Sequence, residues 1–325
     1  MAKRIQFSAH GGPEVLEYVE YVPAEPGPHE VRVRNRAIGL NFIDLYYRNG
    51  LYAPPALPSG LGCEGAGEVE AVGSAVTRFQ IGERVAYGSG PLGAYSELHV
   101  LPAEHLVKLP DSIGFEQAAA VMLKGLTVQY LLRQTYPLKG GETILFHAAA
   151  GGVGSLACQW ARALGVKLIG TLSSPEKAAY AKANGAWATI DYSRENVVQR
   201  VLELTAGQKC PVVYDGVGRD TWETSLDCVA PRGLLVSFGN ASGPVTGVNL
   251  GILAQKGSLY VTRPTLGSYA DTPERLQAMA DELFGMLASG KLRVEIDQRF
   301  ALSEAAAAQR ALAGRQTTGS TILLP

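Results

Sequence analysis

The stretch Thr143-Ile144-Leu145-Phe146-His147-Ala148-Ala149-Ala150-Gly151-Gly152-Val153-Gly154 decides how this 325-residue chain is read. It opens on a short apolar run and passes through a glycine-rich turn. It then continues into Leu156-Ala157-Cys158-Gln159-Trp160-Ala161-Arg162-Ala163-Leu164, a run of helix formers closed by Gly165. Strand, turn and helix follow in that order. A second apolar run at Val166 to Gly170 completes a βαβ setting. Ala148, Gly151 and Gly154 hold the three spacing positions of the dinucleotide fingerprint, with Ala in place of the first Gly. The open amides at the start of a helix attract a pyrophosphate, and side chains at the turn obstruct its approach. The spacing therefore predicts a dinucleotide site around Gly151, Gly152, Val153 and Gly154; a purely structural turn is the alternative.

The end of the second apolar run selects among dinucleotides. An acid there bonds the ribose hydroxyls of NAD and repels an added phosphate. This chain instead carries Leu172-Ser173-Ser174-Pro175-Glu176-Lys177, two hydroxyls and a cation with Glu176 as the acid nearby. Ser173, Ser174 and Lys177 suit a 2′-phosphate, so NADPH is the expected cofactor. The competing reading is a polar helix cap with a solvated lysine.

The same grammar continues outward. A helix is expected from about Pro175 to Asn184, and further apolar runs lie at Val212 to Tyr214, Leu234 to Phe238 and Ser258 to Val261. Strands alternating with helices predict an α/β doubly wound parallel sheet covered on both faces. Before about Leu123 the pattern differs: alternating runs such as Glu30 to Arg34 and Gly67 to Val72, broken by Gly and Pro, read as antiparallel strands of a sandwich or partly open barrel. Helical spacing from Phe115 to Tyr136 suggests a link between two domains. The tail reads as a helix near Pro273 to Ser289, a strand near Arg293 to Phe300, a helix near Ser303 to Ala313 and a last strand Ser320 to Leu324, which is free to rejoin the first domain.

Length agrees with two cores, since single cores stop growing at roughly 250–300 residues. The composition, 46% hydrophobic and 18% charged, is that of an ordinary folded domain. A formal net charge of −1 gives no general pull toward nucleic acid or anionic lipid, so small molecules are the expected partners. No apolar window has the length of a membrane span and no signal peptide is evident, so a cytoplasmic protein is expected. Cys63, Cys158, Cys210 and Cys228 lack paired zinc or disulfide spacing and read as reduced, half-buried apolar residues.

Gly141-Glu142, Leu145, Ala149 to Gly152, Gly154, Gln159 and Arg162, together with Asn41 to Asp44, Gly62 to Gly67, Val213 to Asp215 and Phe238-Gly239-Asn240, resemble segments of a known family. It is the zeta-crystallin-like quinone oxidoreductases of the medium-chain dehydrogenase/reductase superfamily, and the resemblance spans essentially the whole chain. It implies a GroES-like catalytic domain over residues 1–124 and 264–325, a Rossmann domain over 125–263, NADPH in the cleft between them, and a homodimer. It also implies that Asn41, Phe42, Tyr46, Thr127, Tyr130, Gly152, Val153, Ser173, Lys177, Tyr192, Phe238, Gly239, Asn240 and Arg315 meet the cofactor. Each has a plainer alternative: Tyr192 caps the sheet, Arg315 pairs with an acid of the tail, Phe238 packs in the core, and Thr127 and Tyr130 share a helical face only because they lie three apart.

The zinc enzymes of that superfamily polarise a carbonyl with a metal held by Cys, His and a third ligand. Here Asn41 stands in place of the first Cys, Cys63 precedes Glu64 where a His is expected, and the five histidines have no ligand-pair spacing. No metal is expected. Conjugated acceptors take hydride with less help, so the expected reaction is NADPH-dependent quinone reduction, with Asn41, Tyr46 or Tyr52 donating to a developing oxyanion. Tyr46 and Tyr52 read equally as loop-packing aromatics. The alternatives are an NADPH-dependent enone or alkenal reductase and, in another class, a non-catalytic NADPH-binding or RNA-binding protein.

Overall fold

Glu30–Leu40 and Gly65–Val72 form the antiparallel strands that their alternation predicts, with Val33 opposite Val69 and Ala37 opposite Ala66. Along Glu30–Leu40 Val31 and Val33 point inward and carry no exposure, while Arg34 and Arg36 face solvent. The structure, a computed structural model, describes residues 1–314 and 317–325. The chain divides into two compact units, 1–126 with 270–325 and 127–269.

In the first unit a seven-stranded sheet runs Ile296–Ala301, Ser320–Leu324, Glu30–Leu40, Gly65–Val72, Arg84–Tyr87 and Val107–Lys108, and Leu98–Pro102 also pairs with Glu30–Leu40. A three-stranded sheet is built on Ala2–Phe7. The C-terminal strand returns to this unit as its pattern suggested, Leu323 facing Ile38 across an antiparallel pair. Phe7, Val31, Val33, Ile38, Leu61, Tyr95 and Leu323 share one core. Each such side chain contributes about 1.5–3 kcal/mol of burial.

The second unit holds the six-stranded parallel sheet. Its strands are β1 (Thr143–Phe146), β2 (Lys167–Leu172), β3 (Ala188–Asp191), β4 (Cys210–Asp215), β5 (Val229–Ser237) and β6 (Tyr260–Thr262). They lie in the order β3-β2-β1-β4-β5-β6, and every pairing is parallel. That order is the doubly wound dinucleotide fold, with its reversal between β1 and β4. The helices Gly152–Ala163, Pro175–Ala183, Val197–Leu204 and Trp222–Cys228 connect successive strands.

Several readings need correction. The helix expected to Tyr136 is α-helical only over Phe115–Tyr130 and continues as a π-helical turn, Leu131–Thr135. β3 and the helices Val197–Leu204 and Trp222–Cys228, of four, eight and seven residues, escaped the pattern reading. The four cysteines are buried thiols rather than half-buried ones. Among the described residues no helix is long and apolar enough to cross a membrane.

Candidate functional site

The glycine turn begins at the end of β1. Ala148, at the first fingerprint position, has a φ of 55°, a left-handed conformation that costs an L-residue roughly 1–2 kcal/mol. Three backbone contacts hold the turn around it: Gly151 N donates to Ala148 O, Ala149 N to Thr171 O, and Ser155 N to Gly151 O. Gly151 caps the helix Gly152–Ala163 and lends no side chain to its open amides. Gly154 is required by contact, since a Cβ there would lie 2.4 Å from Ala148 O and 2.6 Å from Ala149 Cα. The result is a bare, twelve-residue helix start with a tight backbone cradle, the geometry that fits a pyrophosphate.

β2 and β3 end side by side, with Leu172 opposite Asp191 and Tyr192 N donating to Leu172 O. Ser173 and Tyr192 are thereby brought to one edge, and Tyr192 is 48% exposed. Ser174 serves the helix: its hydroxyl accepts from Lys177 N at 3.3 Å and caps Pro175–Ala183. It also bonds the Glu176 carboxylate and lowers that group's pKa. Ser173 and Lys177 are both partly exposed, and among the described residues Lys177 has no ion-pair partner.

Beyond β5, Phe238 N donates to Asp215 O, and the Phe238 ring packs 5.6 Å from Phe146. Gly239 O accepts from Arg263 Nη1 at 3.0 Å, and Asn240 O accepts from Gly243 N, so the Phe238-Gly239-Asn240 segment is fixed by its backbone. Tyr130 stacks on Tyr269 with ring centroids 4.8 Å apart. Burial raises the Tyr130 phenol, with a smaller opposing effect from the hydroxyl of Thr127. Thr127 and Tyr130 do meet, therefore, as their spacing allowed. Arg315 lies outside the described residues.

In the first unit Asn41 starts the helix Phe42–Arg48, and its backbone N–H donates to Asp44 Oδ2 at 2.8 Å. Its side-chain amide donates to Glu64 Oε2 at 2.6 Å. The same oxygen receives the Lys124 ammonium at 3.2 Å, while Glu64 Oε1 accepts from Leu123 N at 2.7 Å. Glu64 is wholly buried and Lys124 only 6% exposed. Room for the carboxylate comes from Gly39, where a Cβ would lie 2.0 Å from Glu64 Oε2. Asp44 also takes the Tyr95 hydroxyl at 2.8 Å, and burial pushes its carboxyl up to about 7. Burial, reinforced by Asp44 and Glu64, raises the Cys63 thiol well above its usual range.

Phe42 is 37% exposed, at the start of that helix. Tyr46 and Tyr52 pack edge to face at 5.3 Å, and Tyr52 N donates to Tyr46 O. The packing reading of these two rings holds. Among the described residues no three His, Cys, Asp or Glu side chains gather as metal ligands. Pattern reading missed Lys124, Asp44 and Tyr95 because their partners lie 51 to 60 residues away in sequence. It also treated His147 only as a histidine outside any ligand pair.

Residues 27–111 match the alcohol dehydrogenase GroES-like domain, and residues 152–283 match the zinc-binding dehydrogenase family. A quinone oxidoreductase of Pseudomonas aeruginosa is 81% identical over the full length of both chains. The crystal structure of Escherichia coli quinone oxidoreductase complexed with NADPH superposes with a TM-score of 0.99, at 57% identity and full coverage of both chains. A 2-haloacrylate reductase of Burkholderia sp is 44% identical, covering 97% of this chain and 96% of its own.

Proposed function

The chain belongs to the quinone oxidoreductases of the medium-chain dehydrogenase/reductase superfamily, and from that premise we propose that it reduces quinones with NADPH and without a metal. The observation that carries the reading is the bare helix start at Gly152, set behind a turn that admits no side chain at Gly154. Bound NADPH supplies the hydride. The amides of Gly152, Val153 and Gly154 receive its pyrophosphate, and Ser173 with Lys177 receives the 2′-phosphate, a pairing that an acid at Ser173 would forbid. Tyr192 would meet the adenine, Thr127 and Tyr130 the nicotinamide side, and Phe238, Gly239 and Asn240 the rest of the cofactor; Arg315, also expected to meet it, lies outside the described residues.

The first unit supplies the electrophilic assistance. Asn41 is fixed on Glu64 Oε2 beside Lys124, and the remaining hydrogen of its amide is the donor that would favour an oxygen gaining negative charge as hydride arrives. Tyr46 and Tyr52 are further donors to that oxygen. A zinc ion is disfavoured by the donor set: both oxygens of Glu64 are already bonded, one of them to an ammonium, and the neighbouring Cys63 thiol holds its proton. The family description names zinc, but here the Lys124 ammonium occupies the oxygen of Glu64. A cytoplasmic homodimer completes the reading.

The likeness to a 2-haloacrylate reductase favours a second acceptor class, activated alkenes. Steady-state NADPH oxidation, followed at 340 nm with a simple benzoquinone and with an α,β-unsaturated ketone, separates the two. Faster quinone turnover is expected. Rapid enone turnover with negligible quinone reduction overturns the quinone reading, and NADPH binding without turnover of either overturns the enzymatic one.

A further inference from the structure

His147 follows β1 and Asp215 ends β4, the neighbouring strands at which the order of the sheet reverses. His147 N donates to Tyr214 O at 3.0 Å, so the two strand ends are already in register. Four side chains then join them. His147, Thr171, Asp215 and Ser225 are at most 2% exposed, and each has its polar atoms engaged by another member. Asp215 additionally accepts from Val217 N at 2.8 Å, Gly218 N at 3.0 Å and the Thr221 hydroxyl.

The hydrogens of this cluster have one arrangement. A carboxylate that accepts so many donors only accepts, so the Ser225 hydroxyl, 2.6 Å from Asp215 Oδ2, gives it its proton. Ser225 Oγ therefore accepts at its second contact, 3.0 Å from His147 Nε2, and Nε2 carries a hydrogen. Burial lowers the pKa of the His147 ring against the weaker pull of Asp215, so the ring is neutral and Nδ1 is an acceptor. Nδ1 takes the Thr171 hydroxyl proton at 2.9 Å, and Thr171 Oγ1 is left to face Ala148 N–H at 3.4 Å. The chain runs one way, from the left-handed Ala148 of the phosphate turn to the carboxylate at the end of β4.

We propose that His147, as the neutral Nε2–H tautomer, is a positioning residue for the pyrophosphate of NADPH, tying the glycine turn to the Asp215 turn through Thr171 and Ser225. It touches no ligand. Its effect passes through Thr171 and Ala148 to the turn whose amides meet the phosphates, and a buried network in which every member is satisfied rigidifies what it joins. The inference rests on the NADPH reading given above.

The test uses the full-length protein, with NADPH and 2′-AMP as separate probes in calorimetric titrations; 2′-AMP carries the 2′-phosphate and lacks the pyrophosphate. Thr171→Val and Ser225→Ala are each expected to raise the NADPH Kd about tenfold, the loss of roughly one buried hydrogen bond. Both should leave the 2′-AMP Kd within about twofold, because the contacts of Ser173 and Lys177 do not depend on the network. Thr171→Ser, which restores the hydroxyl, returns NADPH affinity to near wild type. Unchanged NADPH affinity in both variants, or equal weakening of both probes, overturns the proposal. Wild-type protein that binds no NADPH defeats the underlying cofactor reading instead. Should the variants not fold, nitrogen-15 NMR of the wild-type histidines decides: a protonated Nδ1 at His147 refutes the one-way chain.

Discussion

Asn41 Nδ2 lies 2.6 Å from Glu64 Oε2, a carboxylate with no exposed surface. A buried anion of this kind is stable only while its donors stay in place, and the Lys124 ammonium on the same oxygen is the charged one among them.

Glu64→Gln leaves that ammonium buried without its counter-ion and turns an amide toward two other donors. The expected loss of stability is about 3 kcal/mol in urea unfolding. Lys124→Met removes the other charge, and the double variant should be more stable than the sum of the two singles by about 1 kcal/mol or more. Strictly additive losses show that the two groups do not interact.

Asp44 makes stability depend on pH. Its carboxyl has an ordinary value of 3.8 in the unfolded chain and about 7 when buried, so between these values the folded state holds the extra proton. By linkage its contribution is complete below about pH 4 and falls as pH rises toward 7, by about 1.4 kcal/mol per unit. His99, which burial holds at about 4, and His147, also lowered, titrate with the opposite sign over part of the range. The measure is therefore the difference between wild type and Asp44→Asn in urea unfolding from pH 4.5 to 7. Stability of the variant should decline less with pH; parallel curves mean that Asp44 is ionised throughout.

Lys177→Ala should weaken NADPH by roughly tenfold, the worth of a hydrogen bond to a charged group, and leave NADH within about twofold. Fluorescence titration of both cofactors reads this directly. Equal effects remove Lys177 from the 2′-phosphate.

The glycine turn was legible because all its determinants lie within a dozen residues: an apolar strand, glycines at fixed spacing, and helix formers. The same holds for the alternation that forms Glu30–Leu40 against Gly65–Val72. Ser174 shows where local reading becomes ambiguous, since a hydroxyl before a helix suits a phosphate and a cap equally; it accepts from the backbone N–H of Lys177. Lys124 and His147 gave no pattern at all. Their partners, Glu64 and Ser225, lie 60 and 78 residues away.

The sequence by itself determined the alternation of strands with helices, apart from β3 and two short helices, and the spacing of glycines that a pyrophosphate needs, because both follow from backbone sterics and the period of burial along a short segment. Tertiary structure alone decided which polar side chains lose their water and whom they meet. The pairing of Asn41 with Glu64, the proton on Asp44 and the tautomer of His147 are set by burial and by partners from other strands, and no local period encodes those.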